Sequence, residues 1–87
     1  MKNFNTIAQS ILNNTCSGIF RLRNNEHIPS TELSINDCTI TGYDYPYRLG
    51  HHGKTYTSTG LYYYGKESPF DVMEFIKDVE TTNIQHY

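Results

Sequence analysis

Charge of either sign is scarce in this sequence. Seven basic and nine acidic residues among 87 give a formal net charge of −2, and they form no long run of one sign. A nucleic-acid-binding domain needs clustered Lys and Arg to meet the phosphates, so this balance argues against direct nucleic-acid binding. A protein that imitates a phosphate backbone needs a dense negative surface, which nine dispersed acids do not provide.

Long apolar runs are missing as well. The hydrophobic fraction of 37% is enough for one small core. However, no segment contains the roughly 20 consecutive apolar residues of a membrane-spanning helix, and residues 1–10 lack the apolar stretch of a secretory signal. We therefore expect a single domain over residues 1–87 that stays in the cytoplasm and does not contact a membrane.

Cysteine is limited to Cys16 and Cys38, so the chain has no C-x-x-C pair. In a reducing cytoplasm these two residues are expected to be buried thiols rather than a disulfide. A zinc site needs four ligands with recognisable pair spacing, and the adjacent His51 and His52 would point to opposite faces of a strand. We expect no metal and no cofactor, and we interpret the four histidines as exposed loop residues: His27, His51, His52 and His86.

Catalytic and phosphate-binding motifs are also lacking. Gly53-Lys54-Thr55 resembles the end of a phosphate loop, but Arg48 stands where the first glycine should be, and a strand is predicted to follow instead of a helix. No Ser or Cys lies in a nucleophile motif such as G-x-S-x-G. We therefore predict that the protein is not an enzyme and has no catalytic residues.

The residues that are present have clear helical and strand-like periods. Apolar residues at helical spacing mark one face of an N-terminal helix: Phe4, Ile7, Ala8, Ile11 and Leu12. Alternation with period two comes next, and then Ser68, Pro69 and Asp71 match the N-cap, N1 and N3 positions of a helix. The predicted fold is α+β, with a helix over about 4–13, a small twisted antiparallel β-meander over about 18–64 and a short C-terminal helix over about 69–79.

Tyrosine is the most informative residue type. Seven of the eight lie within one part of the chain: Tyr43, Tyr45, Tyr47, Tyr56, Tyr62, Tyr63 and Tyr64. If residues 62–64 form a strand, both of its faces carry tyrosine, and the face away from the core must be exposed or covered by a partner. Tyrosine combines a large contact area with a hydrogen-bonding tip, which favours interfaces. We predict a partner-binding surface, with Arg48 as its charged anchor, made of Tyr43, Tyr45, Tyr47, Arg48, Tyr62 and Tyr64.

Two other roles for the tyrosines remain open. They could fill a small sheet in which Phe or Val would also serve. They could also stack on nucleotide bases, with phosphate contacts from nearby basic residues, namely Arg21, Arg23, Arg48 and Lys54.

Four short motifs succeed one another along the middle of the chain. They are Phe20-Arg21-Leu22-Arg23-Asn24-Asn25, Tyr45-Pro46-Tyr47, Tyr56-Thr57-Ser58-Thr59-Gly60-Leu61-Tyr62 and Ser68-Pro69-Phe70-Asp71-Val72. This order resembles a widespread group of small phage and prophage proteins, whose pattern is F-x-T-R-D-G, Y-P-hydrophobic, W-T-x-D-G-x-Y and S-P-L-D-hydrophobic. Tyr56 stands in place of the group's tryptophan, and Asn24-Asn25 in place of Asp-Gly.

The resemblance spans about two thirds of the chain, and residues 1–16 lie outside it. It implies a small twisted β-meander and a phage origin, with the host cytosol as the location. The group has no known catalytic residues, so none are carried over to this chain.

Together, the tyrosines and the resemblance predict a non-enzymatic binding protein. We expect a phage-encoded inhibitor that binds and blocks a host protein of defence or takeover, as anti-CRISPR proteins do. One alternative is a sponge that sequesters a cyclic or ADP-ribose-type immune messenger, and another is a virion assembly or structural factor. A homodimer fits the first two, because a small domain gains stability by burying a face against a copy of itself.

Overall fold

A computed structural model describes residues 1–38 and 44–78 of the chain. One helix and two antiparallel three-stranded sheets make up the regular structure of these residues, which confirms the α+β prediction. The helix α1 spans Phe4–Leu12, close to the predicted 4–13, and a short 3-10 turn spans Ser30–Glu32. The strands are β1 Gly18–Leu22, β2 His27–Pro29, β3 Leu33–Ile35, β4 Tyr47–Leu49, β5 Lys54–Tyr56 and β6 Val72–Lys77.

The helix α1 forms where the apolar residues repeat with a helical period. Phe4, Ala8 and Ile11 lie on its buried face. The helix ends at Asn13, and the next residue, Asn14, adopts a left-handed backbone with φ of 64°, a conformation that asparagine tolerates better than most residues. A helix of 9 residues is marginal in water by itself, so α1 depends on its contacts with the sheets.

The first sheet joins segments that are distant in the sequence. Its strand order is β2–β1–β6, and β1 is antiparallel to both neighbours. Phe20, at the centre of β1, lies opposite Ile28 on one side and Phe75 on the other. The register with β6 shifts between Arg21 and Leu22, which marks a bulge that sharpens the local twist.

The second sheet is the meander β3–β4–β5. Leu33 lies opposite Leu49, and Tyr47 lies opposite Tyr56. Along β4, Tyr47 and Leu49 face the core while Arg48 faces outward. The predicted single meander is therefore divided into two sheets, because β1 takes its second partner from residues 72–77 instead of from the next strands in sequence.

The core lies where α1 packs across both sheets. The ring of Phe4 is centred 5.6 Å from that of Phe20 in the first sheet and 5.6 Å from that of Tyr47 in the second. The hydroxyl of Tyr47 accepts a hydrogen bond from Gln9 Nε2 at 2.7 Å and donates one to Asn5 Oδ1. Because Asn5 and Gln9 both belong to α1, Tyr47 fixes the helix through its ring and its hydroxyl together.

The predicted C-terminal helix is wrong for the described residues, because Val72–Lys77 form strand β6. The capping pattern on which this prediction rests does form. Ser68 Oγ accepts the N–H of Phe70 at 3.1 Å, and Asp71 Oδ2 accepts the N–H of Ser68 at 2.9 Å. These two bonds are those of a helix N-terminus, but they close a single turn that does not continue as a helix.

Long-range pairing explains why the turn is not extended into a helix. The N–H of Val72 donates to the carbonyl of Gly60 at 2.9 Å, and the next residues of β6 pair with β1. This pairing buries Val72 completely and packs Phe75 against Phe20, with ring centroids 5.0 Å apart. Val72, Phe75 and Ile76 also favour strands, so tertiary contacts and propensity together outweigh the local cap.

The pairing of β1 with β6 leaves no room for a side chain at Gly18. A Cβ there would lie 2.3 Å from the carbonyl oxygen of Ile76 and 2.7 Å from Phe75 Cζ. We expect Gly18→Ala to destabilise the fold by about 1–3 kcal/mol, measured by urea unfolding, because the backbone of β6 must shift. Ser34→Ala on the exposed face of β3 is the control and should unfold like the wild type. Equal unfolding midpoints for Gly18→Ala and the wild type would contradict the observed pairing.

Candidate partner-binding surface

The tyrosines divide into a buried group and an exposed group. Tyr47 and Tyr56 are 1% and 0% exposed and face each other across β4 and β5. Tyr47 therefore belongs to the core, and its predicted place on the partner-binding surface is wrong. The alternation of Tyr47, Arg48 and Leu49 contains the signal for this placement, since Tyr47 shares a face with the apolar Leu49.

The exposed tyrosines lie on a tight turn, which we call the tyrosine hairpin (residues 62–66). Tyr63 and Lys66 form an isolated bridge, and the N–H of Lys66 donates to the carbonyl of Tyr63 at 3.2 Å. Gly65 has φ of 73° at the third position of the turn, where a type II turn requires a positive φ. Residues 62–64 are thus not the predicted strand, and both Tyr63 (51% exposed) and Tyr64 (77% exposed) face solvent.

Two hydrogen bonds from outside the tyrosine hairpin hold its backbone. The N–H of Tyr62 donates to Asp71 Oδ1 at 2.9 Å, and the N–H of Tyr64 donates to the hydroxyl of Tyr45 at 3.0 Å. Tyr45 and Tyr62 are themselves half-buried. The exposed rings therefore project from a backbone that is fixed on both sides of Tyr63.

Asp71 is the anchor of this arrangement. It is 0% exposed, and its Oδ2 accepts hydrogen bonds from the N–H of Ser68 at 2.9 Å and from Arg23 Nη2 at 3.1 Å. Burial acts to raise the pKa of Asp71. The two backbone N–H groups and the guanidinium of Arg23 outweigh it and hold the pKa below its usual range. The carboxylate is therefore ionised at neutral pH and has a hydrogen-bond partner on each oxygen.

A continuous set of rings links the tyrosine hairpin to the core. The ring of Tyr62 is centred 5.9 Å from Tyr56, 4.8 Å from Tyr63 and 5.3 Å from Phe70. We call these four residues the aromatic cluster. Two ammonium groups border it, with Lys66 Nζ 5.7 Å from the centroid of Tyr63 and Lys54 Nζ 4.8 Å from that of Phe70. These distances are those of cation–π contacts.

The two remaining residues of the predicted partner-binding surface are Arg48 and Tyr43. Arg48 lies on the outer face of the second sheet, where its Nε donates to Asn36 Oδ1 at 3.3 Å. Tyr43 lies outside the described residues. Thus the hydroxyl of Tyr45 lies beside the backbone of the tyrosine hairpin, which contains Tyr62 and Tyr64, whereas Tyr47 lies in the core and Arg48 donates a hydrogen bond to Asn36.

The site residues predicted from the sequence do not include the exposed Tyr63 or the buried Asp71 that holds the tyrosine hairpin. Strand alternation places Tyr63 on the face opposite Tyr62 and Tyr64, and the Tyr64-Gly65 turn removes that alternation. The local pattern marks Asp71 only as a helix cap, because its partners Tyr62 and Arg23 lie 9 and 48 residues away.

The two cysteines differ in their exposure. The prediction of buried thiols is wrong for Cys38, which is exposed, whereas Cys16 is half-buried. The thiol of Cys16 is free.

Replacing the anchor should weaken the fold and change its response to acid. Because the pKa of Asp71 is lower in the folded state than its ordinary 3.8, the ionised form stabilises the fold above about pH 4. This stability is lost as the pH falls through the folded-state pKa. We expect Asp71→Asn to cost about 2–4 kcal/mol at pH 7 and to reduce the loss of stability in acid. Urea unfolding at pH 7 and below pH 4 measures both effects, and the exposed Asp44→Asn should change neither.

Tyr56 should affect stability at the alkaline end. Burial above all, with the negative charge of Asp71 adding to it, raises the pKa of Tyr56 above its ordinary 10.0. The neutral form therefore stabilises the fold below pH 10, and this stability is lost as the pH rises further. Its hydroxyl donates to the carbonyl of Phe70 at 2.7 Å, so Tyr56→Phe should cost about 1 kcal/mol at pH 7. Between pH 9 and 11 the free energy of unfolding of Tyr56→Phe should fall less than that of the wild type. The control Tyr64→Phe should behave like the wild type.

The described parts of the chain contain neither a cluster of side chains that could hold a metal ion nor a helix that could cross a membrane. Within residues 1–38 and 44–78, no group of three or more His, Cys, Asp or Glu side chains could hold a metal ion. No helix within these ranges is long and apolar enough to cross a membrane.

Comparison with known proteins gives no matching family model, no matching curated protein and no matching solved structure.

Proposed function

We propose that this is a non-enzymatic binding protein whose contact point is the tyrosine hairpin. The observation that carries the proposal is the exposure of Tyr63 and Tyr64 on a backbone held by Asp71 and Tyr45. Exposed aromatic rings of this size fill pockets on partner proteins and often dominate the binding energy. Two adjacent ones at the corner of a turn form a compact anchor.

The fixed backbone favours tight binding. Ordering a loop on association costs free energy, and a loop that is already ordered avoids much of that cost. The N–H of Tyr62 donates to the buried Asp71 and the N–H of Tyr64 to the hydroxyl of Tyr45, so the backbone of the tyrosine hairpin is hydrogen-bonded without a partner. Tyrosine itself loses little side-chain entropy when it becomes fixed in an interface.

The charges around the tyrosine hairpin indicate the chemistry of the partner. Lys54 and Lys66 border the aromatic cluster, and among the described residues neither forms an ion pair. A partner surface that combines an apolar pocket with carboxylates at its rim would complement both the rings and the ammonium groups. A protein can present such a surface. A nucleic acid is a poorer match, because its phosphates would require a larger basic patch on this chain.

We further propose that the partner is a host protein and that the chain is a phage-encoded inhibitor of host defence or takeover, of the anti-CRISPR kind. The order of the four short motifs between Phe20 and Val72 supports the phage origin, and the small size and the single aromatic contact point suit an inhibitor that acts by blocking. A homodimer is compatible with this proposal.

The proposal is tested by capture of the host partner. Tagged protein incubated with host lysate should retain a stoichiometric host protein, identified by mass spectrometry. The double substitution Tyr63→Ser and Tyr64→Ser should weaken that binding about 1,000-fold, because it removes two hot-spot rings worth roughly 2 kcal/mol each. Its melting temperature should stay close to that of the wild type, since both side chains are exposed.

Ile35→Ser is the matched control, because Ile35 is 53% exposed on β3, away from the turn. It should leave capture unchanged. Retention of the host protein by the double variant would exclude the tyrosine hairpin as the contact. A preparation that carries only a cyclic or ADP-ribose-type nucleotide would instead establish the sponge and overturn the inhibitor.

A further inference from the structure

A cavity of about 150 Å³ lies between the two sheets. Its walls come from β2, from the Ser30–Glu32 turn and from the loop that joins β4 to β5. Among the described residues no tyrosine lines it, so it is separate from the tyrosine hairpin and does not depend on the function proposed above.

The floor of the cavity is apolar. Leu22 and Leu49, each 1% exposed, form its base, and the half-buried Ile28 forms one wall. Small-molecule sites combine such apolar linings with a few polar groups at defined positions. A cavity of roughly 150 Å³ is large enough for a benzene ring.

Glycine at position 50 keeps this space open. Gly50 has φ of 87°, and a Cβ there would stand 3.7 Å from Ile28 Cδ1 and 4.0 Å from Glu32 Oε1. A side chain at this position would therefore project between two walls of the cavity. The turn that brings His51 and His52 to the cavity thus also places no side chain of residue 50 between Ile28 and Glu32.

The mouth of the cavity carries a carboxylate beside two imidazoles. Glu32 Oε1 lies 3.6 Å from His51 Nδ1, and the rings of His51 and His52 are centred 4.2 Å apart. Both histidines are exposed, as expected from the sequence, but they are part of a defined wall. Glu26 adds a second carboxylate to the lining, and its Oε1 accepts a hydrogen bond from Asn24 Nδ2 at 2.8 Å.

Positive charge from the described residues does not balance the Glu32 carboxylate at the mouth. Lys54 also lines the cavity, but its ammonium lies 4.8 Å from the ring centroid of Phe70, which is not part of the cavity wall. Glu32 therefore makes the mouth negative, and Glu26 adds a second carboxylate to the lining. A ligand that places a positive group there gains a charge-assisted hydrogen bond.

We propose that this cavity binds a small organic cation that consists of a single ring or short apolar group joined to an ammonium group. The apolar part contacts Leu22, Ile28 and Leu49, and the ammonium group meets Glu32 at the mouth. The imidazoles of His51 and His52 cover the side of the ligand that faces solvent.

The test compares three ligands of one shape and different charge. ¹⁵N-labelled protein is titrated at pH 7.5 with benzylamine, benzyl alcohol and benzoate, and the amide signal of Gly50 is monitored by NMR. Benzylamine should bind about tenfold more tightly than benzyl alcohol, and benzoate should bind most weakly. Absence of a saturable shift at Gly50, or equal binding of benzylamine and benzoate, would overturn the proposal.

Two substitutions separate the roles of charge and volume. Glu32→Gln should remove the preference for benzylamine over benzyl alcohol, whereas Glu67→Gln, an exposed glutamate outside the cavity, should preserve it. Ile28→Phe should fill the cavity and abolish binding of both ligands. A preference that persists in Glu32→Gln would exclude Glu32 as the charged partner, and this comparison decides the proposal even if Ile28→Phe does not fold.

Discussion

The tyrosine hairpin and the turn before β6 depend on one constraint, which is the burial of the Asp71 carboxylate. A carboxylate removed from water is costly unless hydrogen bonds and opposite charge surround it. The groups that meet this need come from three separate places: the N–H of Tyr62, the N–H of Ser68 and the guanidinium of Arg23. Satisfying one charge therefore brings the end of β1, the tyrosine hairpin and the turn before β6 to a single point.

This arrangement separates the residues that stabilise the fold from those that are available for contact. Asp71 and Tyr45 hold the backbone of the tyrosine hairpin through hydrogen bonds that do not involve the side chains of Tyr63 and Tyr64. Tyr64 is 77% exposed, and Tyr63 is 51% exposed with its ring against that of Tyr62. Substitutions at Tyr63 and Tyr64 can therefore alter the contact with a partner while Asp71 and Tyr45 still hold the backbone of the turn.

The sequence predicts the local features of this protein well and the long-range ones poorly. The helix α1 is predictable because Phe4, Ala8 and Ile11 repeat with the helical period. The Ser68–Asp71 cap is also predictable and does form. The conformation of the chain after the cap depends on pairing with β1, about 50 residues earlier, and the local strand propensity of Val72, Phe75 and Ile76 does not by itself identify that partner.

The candidate sites show the same limit. Clustering of the tyrosines indicates an aromatic surface, but whether a given ring is buried depends on which strand it pairs with. The alternation along β4 contains enough information to place Tyr47 inside, whereas the exposure of Tyr63 results from a turn that begins at Tyr63, within the predicted strand over 62–64. The cavity between the sheets has no sequence signature, because its walls come from β2, a 3-10 turn and a distant loop.

The pairing of β1 with β6 also sets the order of events during synthesis. The β1–β2 hairpin is complete by Pro29, but the strand that covers the other edge of β1 begins at Val72. At translation rates of roughly 5–20 residues per second, that edge waits about 2–9 s for its partner. Until then Phe20 and Leu22 lie on a strand whose second edge is open to pairing with another chain. For a nascent chain, the arrival of β6 is therefore the step that closes the open edge of β1.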